Sequence, residues 1–189
     1  CPERPIFAAM KLNEKELGPH HVAADIGCHL FSIMPPFNIS ASTMGYGLGP
    51  ASASAFNVEA KKRPISIMGD GGFWHNGLLT GVAGAVFNKD DSVLVIMNNG
   101  YSSATGHQDI PSSAPNEEGR GKGIEIEAAL KSLGVSWVKR VRTYGVSLGP
   151  KIGWRDEGLA ALATRPITSL TMIHNPLEQD PGRDLIEGA

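Results

Sequence analysis

The sequence predicts a three-layer α/β domain, doubly wound about a mainly parallel sheet. Two observations carry the expectation. Strand-like apolar runs alternate with helical patterns along the chain, the order of βαβ units. Residues 93–97, Val-Leu-Val-Ile-Met, are apolar without interruption, as in parallel strands buried on both faces. At 189 residues the chain exceeds one domain of about 150 only slightly and can bury a core of its own.

Residues 7–17 set Phe7, Ala8, Met10 and Leu12 among Lys and Glu and close on Gly18-Pro19, the pattern of a helix and its stop. Residues 21–26 read as a short strand, and Met34-Pro35-Pro36 breaks regular structure. The loop 45–50, rich in Gly, leads into the small-residue run 51–57, suited to a helix lying close on a sheet. Residues 65–68 form a strand ending at Gly69-Asp70-Gly71-Gly72, and apolar residues recur at helical spacing over 74–87. The strand at 93–97 is followed by a Gly/Ser/Pro loop over 99–123, a length that marks functional or disordered segments. Residues 124–133 form a helix closed by Gly134, and strands are expected at 136–142 and 166–173. The domain is expected to span residues 1–174, with 175–189 a charged, peripheral tail.

Composition excludes several classes. Lys+Arg 17 against Asp+Glu 19 gives a net charge of -2, without the basic footprint of nucleic-acid or anionic-lipid binding, so a small molecule or a protein is the expected partner. No run approaches the roughly 20 apolar residues of a membrane span, and the first residues do not read as a signal peptide; a cytoplasmic location is the expectation. Two cysteines, Cys1 and Cys28, make neither a disulfide framework nor a four-cysteine metal site. A start at Cys1 is expected of a piece of a longer polypeptide.

The chemistry concentrates where two strands end. Ligands of open parallel sheets bind beyond the carboxyl ends of the strands, so Asp70 and Asn99 are expected on one rim, Asp70 as an exposed carboxylate. The Asp70 carboxylate, the Asn99 amide oxygen and the Tyr101 carbonyl would give Mg²⁺ three hard ligands, leaving room for two diphosphate oxygens and water. Gly71 and Gly72 open the following helix, whose positive end and backbone N–H groups suit a diphosphate. Taken singly, Asp70 also reads as a helix cap and Asn98-Asn99 as the start of a turn.

Gly69-Asp70-Gly71, the 26 residues 72–97 and then Asn98-Asn99 resemble the thiamine diphosphate motif of thiamine-dependent enzymes. Together with Asp25-Ile26-Gly27-Cys28, Met44-Gly45-Tyr46-Gly47-Leu48-Gly49, Gly72-Phe73-Trp74-His75 and Ala104-Thr105-Gly106-His107-Gln108, they resemble the thiamine-binding domain of indolepyruvate ferredoxin oxidoreductase and related 2-oxoacid ferredoxin oxidoreductases. The likeness is clearest over residues 1–145. It implies the thiamine diphosphate-binding fold and oxidative decarboxylation of a 2-oxoacid, an indolepyruvate-like aryl pyruvate favoured, to acyl-CoA. Electrons would pass to ferredoxin, with thiamine diphosphate and Mg²⁺ as cofactors and coenzyme A as co-substrate.

By the same resemblance, Met44 bends thiamine into its reactive shape, Gly45 faces its rings, and Gly69, Gly71, Gly72, Phe73 and Cys28 join Asp70, Asn99 and Tyr101 around the cofactor. Phe73 would add a backbone N–H for the diphosphate, and His75 would contact substrate. Related enzymes complete the site with a pyrimidine-binding domain or subunit, which implies a homo- or hetero-oligomer. Cys1 and Cys28 match two ligands of the family's [4Fe-4S] cluster, but the late cysteine of that set is absent.

Other readings remain beside these. Met44 and Cys28 equally suit apolar packing, His75 a solvent contact, and His20-His21 a polar turn. A non-oxidative thiamine-dependent decarboxylase or acetolactate synthase-type enzyme would share the motif, and a thiamine-binding scaffold would lack turnover. Gly145-Val146-Ser147-Leu148-Gly149, followed by Asp156 and His174, fits an α/β-hydrolase elbow built on Ser147, although Pro150 directly after it opposes that turn.

Overall fold

The computed structural model describes residues 3–56, 62–115, 119, 121–142 and 169–174. In chain order the elements are α1 (Arg4–Leu17), β1 (Val22–Ala24), a 3₁₀ segment (Cys28–Ile33), α2 (Gly49–Ser54), β2 (Ile65–Gly69) and α3 (Asp70–Gly72). A π-helix (Phe73–Ala83), α4 (Gly84–Asn88), β3 (Val93–Asn98), β4 (Tyr101–Ser102), β5 (Gln108–Asp109), α5 (Ile126–Ser132), β6 (Trp137–Arg142) and β7 (Ser169–His174) follow. One sheet runs in the order β1-β2-β3-β7-β6 with every neighbouring pair parallel, so β7 inserts between β3 and the earlier β6.

Alternation along the strands divides the core into two layers. Ile65 and Ile67 of β2 and Val93, Val95 and Met97 of β3 face α1, which delivers Ile6, Phe7, Ala9 and Met10. Met68, Leu94 and Ile96 point the other way, onto Phe73 and Val82 of the π-helix and Ile126 and Leu130 of α5. This is the expected three-layer α/β arrangement, and the uninterrupted apolar run in β3 is needed because both of its faces are covered.

The structure differs from the sequence expectation in three places. The helix expected over 74–87 begins at Asp70, and its middle is π-helical over 11 residues. Glycine lets that wider coil press on its neighbours: a methyl group at Gly77 would sit 2.9 Å from Met68 Sδ, and one at Gly81 2.7 Å from Pro50 Cβ of α2. The strand expected over 21–26 stops at Ala24, although Asp25 still donates its N–H to the Ile67 carbonyl at 2.8 Å. The long loop after β3 contains a short antiparallel hairpin, β4 with β5. The expected tail, 175–189, lies outside the described residues, and no helix among those described is long and apolar enough to cross a membrane.

Candidate functional site

β2 delivers Asp70 to the carboxyl rim, and β3 delivers the turn 99–101 beside it. Contrary to expectation, Asp70 is not exposed; 1% of its surface reaches solvent. The reason is that the turn after β3 folds back onto it. Asp70 Oδ2 accepts N–H bonds from Asn99 at 3.1 Å and Gly100 at 2.6 Å, and Oδ1 accepts the Gly71 N–H at 2.9 Å. Asn99 Oδ1 accepts the Tyr101 N–H at 3.1 Å, which fixes the amide next to the carboxylate. Ser113 Oγ donates to the Gly100 carbonyl at 2.6 Å, tying the long loop to the same turn. Burial pushes the Asp70 carboxyl up to about 7, although Gly100, Gly71 and Asn99 each pull it down. Three N–H donors therefore do not compensate the buried charge, and a bound cation would.

A second buried carboxylate supports the wall. Asp25 Oδ1 accepts the Gly47 N–H at 2.5 Å, while Oδ2 is buried without a partner against the Cα of Gly72. Burial raises the Asp25 carboxyl above the usual range, opposed by the Ile26 and Gly47 N–H groups and by nearby His29 and His75. A raised acid holds its proton in the folded state, so this contribution is complete below the ordinary carboxylate value of about 4 and is lost as pH rises through the raised value. Asp25→Asn keeps an acceptor for Gly47 and cannot ionise. It is expected to flatten the decline in ligand-free stability above pH ~4, checked by urea unfolding at acid and neutral pH. Parallel curves for variant and wild type would contradict this.

A cavity of about 150 Å³ opens at this rim, and Cys28, Gly69, Asp70, Gly71, Gly72, Asn99 and Tyr101 all line it. Met44, Gly45, Phe73 and His75 are not among its lining. Met44 is 70% exposed, and His75 is exposed with its ring 5.0 Å from that of Tyr46. Phe73 is fully buried and its N–H donates to the Asp70 carbonyl. The sequence reading gave no role to Glu3, His29, Tyr46 or Ser102, which also line the cavity. Tyr46 Oη and Ser102 Oγ are 2.8 Å apart across its edge, a contact spanning 56 residues that no local pattern announces. Among the described residues no three His, Cys, Asp or Glu side chains converge as a metal centre. Cys1, Ser147 and Asp156 lie outside the described residues, so the second cluster candidate and the hydrolase elbow find no description there.

The donor set fits a magnesium diphosphate. Asp70 at the helix start and Asn99 on the turn after β3 offer hard oxygens side by side, burial raises the Asp70 carboxyl so that a cation there would stabilise its charge, and glycines at 71 and 72 let the helix start pack where a side chain would strike Tyr46, Ser102 or Asp25.

Comparison with known proteins identifies the family. Residues 25–154 match the model of the thiamine pyrophosphate enzyme, C-terminal TPP binding domain. The chain is 29% identical over 191 residues to the indolepyruvate oxidoreductase subunit IorA of Thermococcus kodakarensis, covering 92% of this chain and 29% of that protein. It is 31% identical over 147 residues to the same subunit of Archaeoglobus fulgidus, covering 77% of this chain and 23% of that one. The chain thus spans under a third of the curated relatives it matches. Among solved structures it is similar to the 2-oxoglutarate:ferredoxin oxidoreductase of Magnetococcus marinus, with a TM-score of 0.76 at 18% identity over 92% of this chain and 61% of that one. With Asp70 and Asn99 joined at the rim of a parallel sheet inside the matched region, the chain belongs to the family of thiamine pyrophosphate enzyme C-terminal TPP-binding domains.

Proposed function

We propose that this chain is the thiamine diphosphate- and Mg²⁺-binding portion of a 2-oxoacid:ferredoxin oxidoreductase, acting on an indolepyruvate-like aryl pyruvate and forming an acyl-CoA. The observation that carries the reading is the turn 99–101 bonded onto Asp70 beside a glycine-opened helix. The curated relatives named indolepyruvate oxidoreductase support the substrate, and the structural neighbour, solved with 2-oxoglutarate, coenzyme A and succinyl-CoA, supports the reaction class.

In this reading Asp70, Asn99 and the Tyr101 carbonyl hold Mg²⁺, and the helix start at Gly71 and Gly72 takes the diphosphate. When bound, thiamine diphosphate supplies the electron sink that lets a 2-oxoacid lose CO₂. The cavity is smaller than the several hundred Å³ typical of a complete small-molecule site, so a second domain or subunit supplies the opposite wall. Ile26, Phe31, Ile33, Met34 and Met44 are exposed apolar side chains from the stretch between β1 and α2, and they give that domain its seat. Met44 and Gly45 reach the thiamine rings, and His75 the substrate, once that wall is in place. Cys28 is the one described candidate for an iron–sulfur ligand.

The test is turnover by the assembled enzyme with Mg²⁺, thiamine diphosphate, coenzyme A and a panel of aryl, branched and dicarboxylic 2-oxoacids, following ferredoxin reduction. Reduction that is fastest with aryl pyruvates is expected. Aldehyde release without ferredoxin reduction would replace this reading with a non-oxidative decarboxylase.

A further inference from the structure

Ser113 stands in the long loop between β5 and α5, and 2% of its surface is exposed. Its hydroxyl joins two stretches of that loop. Oγ accepts the Ile110 N–H at 2.8 Å and donates to the Gly100 carbonyl at 2.6 Å. The residue is itself held from several sides. Its N–H returns to the Ile110 carbonyl at 2.9 Å and closes a turn, and the Ile124 N–H reaches the Pro111 carbonyl at 2.8 Å. The neighbouring Ser112 Oγ accepts the indole N–H of Trp74 at 2.8 Å. Gly123 passes so close that a methyl group there would lie 2.5 Å from the Ser113 carbonyl oxygen. The π-helix and the approach to α5 thus fix where the hydroxyl sits.

The other end of this contact is the peptide that joins Gly100 to Tyr101. Its carbonyl takes the Ser113 hydroxyl and its N–H goes to Asn99 Oδ1 at 3.1 Å, so its plane is pinned on both sides. Gly100 has φ +87°, which lets its own N–H face Asp70 Oδ2 at 2.6 Å while its carbonyl turns to the loop. An amide oxygen has two lone pairs; the Tyr101 N–H occupies one at Asn99 Oδ1, and the pinned peptide decides where the other points. The same plane sets the direction of the next carbonyl, that of Tyr101. We infer that Ser113 is a positioning residue that holds Asn99 Oδ1 and the Tyr101 carbonyl at one spacing, and thereby makes the site selective for a small, strictly octahedral divalent cation. The inference rests on the proposed thiamine diphosphate and Mg²⁺ reading. Mg²⁺ tolerates little departure from octahedral oxygens at about 2.0–2.1 Å, whereas Ca²⁺ accepts about 6–8 oxygens at about 2.3–2.6 Å in flexible arrangements. A turn free to shift would therefore lose Mg²⁺ sooner than Ca²⁺.

The experiment measures, on the intact enzyme, the Kd of thiamine diphosphate by calorimetry in Mg²⁺ and again in Ca²⁺ for wild type, Ser113→Ala, Ser113→Cys and Ser112→Ala. Ser113→Ala is expected to raise the Kd about tenfold in Mg²⁺ and less than about threefold in Ca²⁺. Ser113→Cys, near in size with a weaker S–H donor, falls between wild type and Ser113→Ala, and it decides the matter if Ser113→Ala does not fold. Ser112→Ala frees the loop from Trp74 without touching the Gly100 carbonyl, and it keeps the wild-type Kd in both metals. The split between the metals is a shift that a merely loosened loop would not produce. Equal losses in Mg²⁺ and Ca²⁺ for the Ser113 variants, an unchanged Kd in Mg²⁺, or the same metal split in Ser112→Ala would overturn the inference and leave the cofactor reading standing. Wild-type enzyme that fails to bind thiamine diphosphate in either metal would overturn both.

Discussion

Asp70→Asn is expected to abolish Mg²⁺-dependent binding of thiamine diphosphate while leaving the fold in place. The carboxylate is the one charged group in the proposed donor set, and its neighbours Asn99 and the Tyr101 carbonyl are neutral. Removing the charge leaves Mg²⁺ with neutral oxygens, which bind it weakly against its own hydration. A loss of at least about a hundredfold is expected, since a charge-assisted contact in a buried site is worth two or more factors of ten. Asn is the informative substitution because Asp70 also anchors the turn. Ala would strand the N–H groups of Gly71, Asn99 and Gly100, each at a cost of about 1–3 kcal/mol if buried, and would mix unfolding with lost affinity. Asn keeps one oxygen for the Asn99 and Gly100 N–H groups and turns its NH₂ toward the Gly71 N–H, so it strands one donor where Ala strands three and lowers stability by about 1–3 kcal/mol, read by thermal unfolding at neutral pH. Calorimetric affinity within tenfold of wild type would remove Asp70 from the metal site.

Gly47→Ala is expected to produce the largest loss of stability. Gly47 has φ +81°, a left-handed conformation that costs a residue with a Cβ about 1–2 kcal/mol. The added methyl would also lie 2.5 Å from the Gly72 carbonyl oxygen and 2.9 Å from the Asn76 N, backbone atoms of the helix that starts at Asp70. Neither can turn away as a side chain would, so overpacking adds about 1–3 kcal/mol. The Gly47 N–H that holds Asp25 moves with them. Together these predict a loss of about 2–5 kcal/mol, seen as a fall in Tm on the order of 10 °C for a chain of this size. Urea unfolding measures it directly. A midpoint unchanged in Gly47→Ala would mean that the loop 45–50 yields freely to the helix.

Much of the fold was legible because it is local. The strands at 65–68 and 93–97 are apolar stretches bounded by turn residues, and their extents agree with β2 and β3 to within one residue. The pairing of Asp70 with the turn after β3 followed from strand order alone, since both lie at carboxyl ends of neighbouring parallel strands. What was not legible depends on contacts distant in sequence. The burial of Asp70 comes from residues 99 and 100 folding back, and a pattern that places a carboxylate at a rim does not say what covers it. The π-helix brings Gly77 and Gly81 against Met68 and Pro50, contacts distant in sequence, whereas the spacing of apolar residues over 74–87 reads as an ordinary helix. Glu3 and His29 come from the start of α1 and the 3₁₀ segment, and only the folded chain brings them to the cavity beside Asp70.

The most direct test of the central claim is a calorimetric titration of the chain, together with the rest of its enzyme, with thiamine diphosphate in the presence and absence of Mg²⁺. The account predicts saturable binding that depends on the metal and disappears in Asp70→Asn. Binding that is indifferent to Mg²⁺, or no binding with the complete enzyme present, would contradict it.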